Sequence, residues 1–144
     1  MKRVDQVLRE KGPDFWSVTP GATVFKALEL MAKQNIGAVL VMEEGGLAGI
    51  FSERDYARKV VLEGKSSKDI PVKEIMTSKV VCVRPEQSIE ECMALMTNKH
   101  IRHLPVIEGD QVVGVISLGD VVKAKISEQE FTISQLEHYI TGVL

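Results

Sequence analysis

The stretches "GIFSERD" (Gly49–Asp55) and "GVISLGD" (Gly114–Asp120) decide how this chain is read. Each is glycine, two bulky apolar residues, serine, any two residues, then aspartate, and the second lies 65 positions after the first. The register extends without a gap from Val18–Val60 onto Val83–Lys125, which marks an internal repeat. Identities fall at Val18/Val83, Pro20/Pro85, Leu30/Leu95, Met31/Met96, Ile36/Ile101, Val41/Val106, Glu43/Glu108, Gly49/Gly114, Ser52/Ser117 and Asp55/Asp120. Apolar swaps such as Val24/Ile89 and Leu28/Met93 keep the same pattern.

Each copy has the same local grammar. A short strand ("SVTP", "VVCVRP") ends at a proline, which cannot continue a central ladder. Thr23 and Ser88 then suit helix N-caps, and Ser88 with Glu91 has the spacing of a capping box. Val24, Ala27, Leu28, Met31 and Ile89, Cys92, Met93, Met96 recur at i, i+3, i+4 and i+7, which predicts amphipathic helices. "IGAVLVME" and "IRHLPVIE" follow, then "EGG" or "EGD" as hairpin turns, then return strands ending at the two serines. A second helix starts there.

The expected fold class is therefore α+β: two βαββα repeats packed with pseudo-two-fold symmetry, because one such unit alone buries only one face of its small sheet. "VKEIM" (Val72–Met76) resembles "VDQVL" (Val4–Leu8), so each repeat is expected to own a leading helix. The expected divisions are residues 1–62 for the first repeat with its leading helix, 63–71 for a polar connector, and 72–127 for the second repeat. Residues 128–144 form a C-terminal helical extension, on which Ile133, Leu136 and Ile140 share one face. A lone amphipathic helix is marginal, so it is expected to pack on the body or on a second subunit.

Composition narrows the function classes. With 44% hydrophobic and 26% charged residues, the chain is neither disordered nor fibrous. A net charge of −2 gives no broad attraction for phosphate backbones, so nucleic acid is not an expected partner. Apolar runs such as "IGAVLVM" are too short to span a bilayer, and "MKRVDQVLREKG" lacks the apolar core of a secretory signal. Cys82 and Cys92 stand outside any CxxC or catalytic setting and are expected to be reduced, buried small hydrophobes in a cytoplasmic protein.

Ser52-x-x-Asp55 and Ser117-x-x-Asp120 stand where a strand turns into a helix, and two accounts suit them. One is a capping-box variant, with the hydroxyl accepting from backbone N–H groups and the acid favoured at the positive end of the helix. The other uses the same corner for a ligand. Free N–H groups and a serine hydroxyl favour a phosphate, and a carboxylate three residues on can accept from both hydroxyls of a ribose. Repetition alone does not choose, since caps would duplicate too.

In tandem, with "GIFSERD", "IRHLPV" and "GVISLGD" in place, the chain from about Val4 to Ile126 resembles the CBS (cystathionine β-synthase) domain pair. The resemblance implies a regulatory module without cystathionine chemistry, whose clefts between paired repeats bind adenosine nucleotides. AMP, ADP, ATP and NAD are the candidate ligands. It implies that Asp55 and Asp120 hold ribose hydroxyls and that Ser52 and Ser117 contact phosphate or ribose. Gly37, Ala38 and Val39, with Arg102, His103 and Leu104, would offer backbone groups to adenine, and Thr19, Thr77 and Val81 would close the pocket. It also implies a homodimer, with the C-terminal helix as a candidate seam, and signalling to a regulated protein in trans.

The copies differ in charge. Arg54, whose planar fork suits a phosphate or else pairs with Glu53 or Asp55, faces Gly119 in the alignment, while Arg102 and His103 stand opposite Gly37 and Ala38. The two clefts are therefore expected to bind unequally. His103 suits a phosphate contact; His100 matches Asn35 and reads as a helix-end residue, and the spacing of the two histidines does not suit a metal. Phe15 and Trp16 are expected to plug core or interface, and Tyr56 to be core filler or a wall against a base. No Walker-type loop, nucleophile elbow or positioned histidine base is present, so no enzyme is expected. The alternative to a sensor is an interaction or dimerisation scaffold with empty clefts.

Overall fold

A computed structural model describes residues 2–141. The chain divides into two compact units. One holds residues 14–81 and the turn at Gly109–Val112; the other holds the chain up to Pro13, Cys82–Glu108 and Val113 onward.

In the first of these units, β1 (Ser17–Val18) runs parallel to β2 (Ala38–Glu43), which pairs antiparallel with β3 (Gly46–Ser52). The crossover helix α2 (Val24–Gln34) starts where the Thr23 hydroxyl accepts from the Lys26 N–H, and ends at Asn35 in a left-handed conformation (φ 54°). Its buried face is Val24, Ala27 and Met31. These join Val39, Val41, Phe51, Val60, Val72 and Ile75 in one apolar core. α3 (Glu53–Tyr56) is a single turn that widens into a π-helical turn over Ala57–Val61, with Leu62 N–H donating to the Ala57 carbonyl.

The second unit repeats that plan. α4 (Ile89–Lys99) is capped by Ser88, whose hydroxyl accepts from the Glu91 N–H, and it ends at His100 in a left-handed conformation (φ 56°). Only half of the Ser88/Glu91 capping box forms: the Ser88 hydroxyl turns to Glu91 at 3.5 Å, and the Ser88 N–H is not taken by that carboxylate in the way the pattern requires. β4 (His103–Glu108) and β5 (Gln111–Ser117) form the hairpin. The partner of β1 is reduced to one parallel bridge, Val83 to Val106, the equivalent of Val18 to Val41. α5 (Leu118–Thr141) is one 24-residue helix, so the last helix of the repeat runs unbroken through the boundary expected at residue 128. The end of the expected extension, residues 142–144, lies outside the described residues.

The leading segments are exchanged between the units. α1 (Val4–Lys11) stands in the compact unit that holds the second repeat. There, Val4 N–H donates to the Gln87 carbonyl, Asp5 N–H to Pro85, and Ile89 N–H to Lys2. Conversely, the 3₁₀ turn Val72–Glu74 stands with the first repeat, with Val72 N–H on the Ala22 carbonyl and Thr77 paired both ways with Ile50. The physical reason is room. Gly49 lies under Met76 and Thr77, and Gly114 under Leu8, so the motif glycine is the groove floor for a leading segment. A Cβ there would come within 2.6 Å of the Met76 sulfur or 2.7 Å of a Leu8 methyl.

The aromatic expectations split. Tyr56 packs against the first core, while Trp16 is 43% exposed and plugs no core. Phe15 is half-buried. Cys92 is buried and Cys82 half-buried, both as free thiols. Burial, with Glu91 and Glu90 nearby, pushes the Cys92 thiol up to about 11, and burial also raises Cys82.

Candidate functional site: two serine–aspartate corners

At the first corner, Ser52 closes β3 and caps α3 in a complete reciprocal box. The Ser52 hydroxyl accepts from the Asp55 N–H (3.2 Å), and Asp55 Oδ2 accepts from the Ser52 N–H (3.0 Å) and hydroxyl (3.1 Å). Asp55 Oδ1 takes the Thr77 hydroxyl (3.3 Å) and the Lys59 ammonium (3.0 Å). Lys59 also donates to the Ile75 carbonyl (3.1 Å). Asp55 is the one charged residue classed as buried among the described residues, at 8% exposure. A buried carboxylate is costly unless it is paired and hydrogen-bonded, and this one is both.

The second corner keeps the box and changes the cation. Asp120 Oδ2 accepts from the Ser117 N–H (2.9 Å), and the Asp120 N–H donates to the Ser117 hydroxyl (3.2 Å). The position equivalent to Lys59 is Ala124. The ammonium comes instead from Lys11 at the end of α1, 2.7 Å from Asp120 Oδ2 and 2.8 Å from the Val115 carbonyl. Val115 is the counterpart of Ile50, whose carbonyl at the first corner accepts from the Thr77 N–H. Burial pushes the Asp120 carboxyl up, but the Lys11 ammonium and the Ser117 N–H outweigh it, and the group is held below the ordinary carboxylate value.

The expected site residues fall into two sets, each within one unit. Thr19, Gly37, Ala38, Val39, Ser52, Arg54, Asp55, Thr77 and Val81 belong to one, and Arg102, His103, Leu104, Ser117 and Asp120 to the other. The structure brings Ser52, Asp55 and Thr77 into direct contact. Gly37 and Arg102 each accept, through their carbonyls, from the first N–H of the following helix, Glu53 and Leu118. The first and third N–H groups of each helix start are thus used internally, which leaves fewer for an anion than a free helix end offers. Ala38 and Val39 lie in the ladder opposite Ser52 and Phe51. The Val39 and Leu104 side chains are buried. Thr19 and Arg102 are exposed, Arg54 is exposed on α3, and Val81 is half-buried. The Thr19 carbonyl closes a turn onto Ala22 N–H. Burial lowers the His103 pKa against the pull of Asp120, with Lys11 and Arg102 adding to the lowering. Burial thus disfavours the charged form of the His103 imidazole.

Sequence reasoning missed Lys59 and Lys11. Lys59 had a local signal, four residues after Asp55 on one helix. Lys11 had none, since its partner is 109 residues away.

With this geometry established, the class is clear: the CBS domain model matches residues 6–62 and 72–127, and the chain belongs to the CBS-domain family as a tandem CBS pair. It is 39% identical over 149 residues to the mitochondrial CBS domain-containing protein CBSX3 of Arabidopsis thaliana, covering 96% of this chain and 72% of that one. A solved structure of a protein with CBS domains from Burkholderia ambifaria is 50% identical, with a TM-score of 0.85, covering 89% of this chain and 96% of that one. A more distant CBS pair, solved with 5′-methylthioadenosine and S-adenosyl-L-methionine, is 21% identical with a TM-score of 0.76, covers 89% of this chain and 98% of that one, and shares the fold. No helix among the described residues is long and apolar enough to cross a membrane.

Proposed function

We propose that this chain is a regulatory sensor that binds an adenosine nucleotide (AMP, ADP, ATP or NAD) at one or both serine–aspartate corners. It would pass the change to a partner in trans, acting in the cytoplasm as a homodimer. The observation that carries the reading is the Asp55 carboxylate: a capping acid needs only a helix start, yet this one is buried, fixed on both oxygens, and ringed by hydroxyl and ammonium donors. A ribose diol bonding to Oδ1 would replace the Thr77 hydroxyl and the Lys59 ammonium. The adenosyl ligands of the distant CBS pair belong to the same chemical class.

That replacement supplies a signal. Lys59 and Thr77 tie the segment around Ile75 to the corner, and Lys11 ties α1 to the other. A ligand that takes the carboxylate loosens the leading segment. It shifts the molecule only through its different affinity for the tied and released forms.

Calorimetry across AMP, ADP, ATP, NAD, S-adenosylmethionine and 5′-methylthioadenosine tests this. Asp55→Asn or Asp120→Asn should weaken binding about 5- to 150-fold, the effect of roughly 1–3 kcal/mol of charge-assisted hydrogen bonding. Amide exchange across residues 72–77 or 4–11 should rise when ligand is bound. One observation favours the scaffold reading instead: both carboxylates already have partners from the chain itself. Absence of heat or thermal shift with every ligand of the panel would establish that reading and sink the sensor.

A further inference from the structure

The two leading segments run in step and then part. Arg3 bridges Ser88 as Pro71 bridges Thr23. Val4 N–H donates to the Gln87 carbonyl as Val72 N–H does to Ala22, and Asp5 N–H to Pro85 as Lys73 N–H does to Pro20. Leu8 then covers Gly114 as Met76 covers Gly49. After Met76 the chain extends, and Thr77 exchanges both backbone hydrogen bonds with Ile50, at 2.8 and 3.0 Å. After Leu8 it stays helical through Arg9, Glu10 and Lys11, closing with the Gly12 N–H on the Leu8 carbonyl (2.8 Å). Residue type accounts for the difference: arginine, glutamate and lysine are good helix formers, and Thr77 and Ser78 in the matching places are poorer ones. Glu10 also pairs with Lys2 at 3.1 Å, where the counterparts Ser78 and Ile70 can form no ion pair.

The consequence lies on β5. Val115 stands in the place of Ile50, and its carbonyl points at α1, where it accepts from the Lys11 ammonium (2.8 Å). In an antiparallel ladder the N–H and C=O of one residue point to the same side, so the Val115 N–H faces α1 as well. Among the described residues Val115 has no bridge corresponding to Ile50–Thr77. The edge is held there by a side chain in place of a backbone. The first corner shows what a backbone would bring with it. In the extended segment the Thr77 side chain reaches the aspartate, 3.3 Å from Asp55 Oδ1, while Lys79, the counterpart of Lys11, is exposed. In the helical segment Lys11 reaches the aspartate, and Arg9, the counterpart of Thr77, is exposed. Conformation thus selects which side chain meets the carboxylate, and in α1 both candidates are cations.

We infer that the last turn of α1 is a two-state segment. In one state, that of this structure, it is helical with Lys11 on Asp120. In the other it is extended: Arg9 exchanges backbone hydrogen bonds with Val115, and its guanidinium replaces the ammonium on Asp120. The half-buried carboxylate keeps a cation in both, so the exchange never leaves that charge unpaired. Leu8 to Val18 spans ten positions and Met76 to Val83 seven, so the first link has chain to spare when the turn unwinds. A group that draws Lys11 off Asp120 converts the end of α1 into a strand residue on β5.

The inference does not rest on nucleotide binding, because its test uses the full chain without ligand, read by NMR and amide exchange. Lys11→Met should slow exchange at the Val115 N–H at least threefold, reduce the helical Cα shifts of residues 9–11, and bring the Arg9 and Val115 amide protons into contact. The Val4 and Asp5 amides should keep the parent's rates, showing that the start of α1 stays in place. Both states remain populated in that variant, so Asp120 has its cation for only part of the time. Arg9→Met/Lys11→Met should return Val115 to the parent's rate. Unchanged or faster exchange at Val115 in Lys11→Met means that the turn only frays or stays helical, and overturns the two-state segment. Slowing without the Arg9–Val115 contact, or slowing that survives in the double variant, overturns the role of Arg9.

Discussion

Replacing Gly49 by alanine should cost far more than the same change at Gly114, although the two glycines are equivalent in the repeat. At Gly49 the new Cβ would lie 2.6 Å from the Met76 sulfur and 2.8 Å from the Thr77 carbonyl oxygen. The sulfur can swing away, but the carbonyl cannot. It is held by the Ile50 N–H at 3.0 Å, while the Thr77 N–H returns to the Ile50 carbonyl at 2.8 Å. Relief requires about 0.5 Å of retreat by the backbone, with overpacking of about 1–3 kcal/mol and about 1 kcal/mol for each strained hydrogen bond. Loss of glycine's freedom in the unfolded chain returns about 0.4–1 kcal/mol. The net destabilisation is about 2–4 kcal/mol, or roughly 5–15 °C in Tm for a chain of this size. At Gly114 the nearest atoms are the two Leu8 methyls, at 2.7 and 3.2 Å, and a rotamer change relieves them at about 1 kcal/mol. Urea and thermal unfolding followed by circular dichroism would read both. Leu8→Ala should rescue Gly114→Ala in part, whereas Met76→Ala should leave Gly49→Ala destabilised. Equal costs at the two glycines, or a full rescue by Met76→Ala, would refute the claim that backbone contact sets the requirement.

The helix caps give a second check: Thr23→Ala and Ser88→Ala should each lower unfolding free energy by about 1 kcal/mol in urea titration. Asp120, held below its ordinary pKa, contributes stability that is present above the unfolded value of about 4 and is lost as pH falls through the folded one. Lys11→Met removes the ammonium that lowers it, so unfolding free energy measured from pH 6 to pH 3 should show a shallower acid loss. His103 is also lowered, by burial, so the unfolded chain takes up its proton first and stability falls as pH drops below about 6.5. Proton NMR should show His103 titrating below that value, and Asp120→Asn should push it lower still. An unshifted imidazole would contradict the burial argument.

What the sequence disclosed was local or periodic. Thr23 and Ser88 cap, Asn35 and His100 end their helices, and Val24, Ala27, Met31 with Ile89, Cys92, Met96 form matching buried stripes. These follow from hydrogen-bond spacing and helical period, which a single stretch carries. The exchange of leading segments was not legible, because the apolar faces of "VDQVL" and "VKEIM" say that each buries, not against which repeat. Val4 and Val72 are both fully buried, each on the repeat it does not adjoin in the sequence. The glycines of the motif held the clue, since a strand glycine often marks a close backbone approach. Trp16 shows the limit of aromatic size as a core signal: its place beside a two-residue edge strand leaves it partly exposed within the chain. At the corners the sequence supplied the serine and the acid, while the cations depended on tertiary placement.

Those cations show what duplication constrained and what it left free. A buried or half-buried carboxylate must be neutralised, or it takes up a proton and releases its cap. Both corners meet that demand, yet Asp55 takes its ammonium from α3's own continuation and Asp120 from α1. The requirement is therefore for a positive charge at a point in space and not for a lysine at a position in the repeat. It follows that the two corners respond to different strain. Displacing Lys59 frees a contact to Ile75 on the segment after the connector, whereas displacing Lys11 frees the end of the first helix from Val115. If the proposed ligand binds, taking both corners would release two different segments, and taking one corner alone would free a different segment from taking the other.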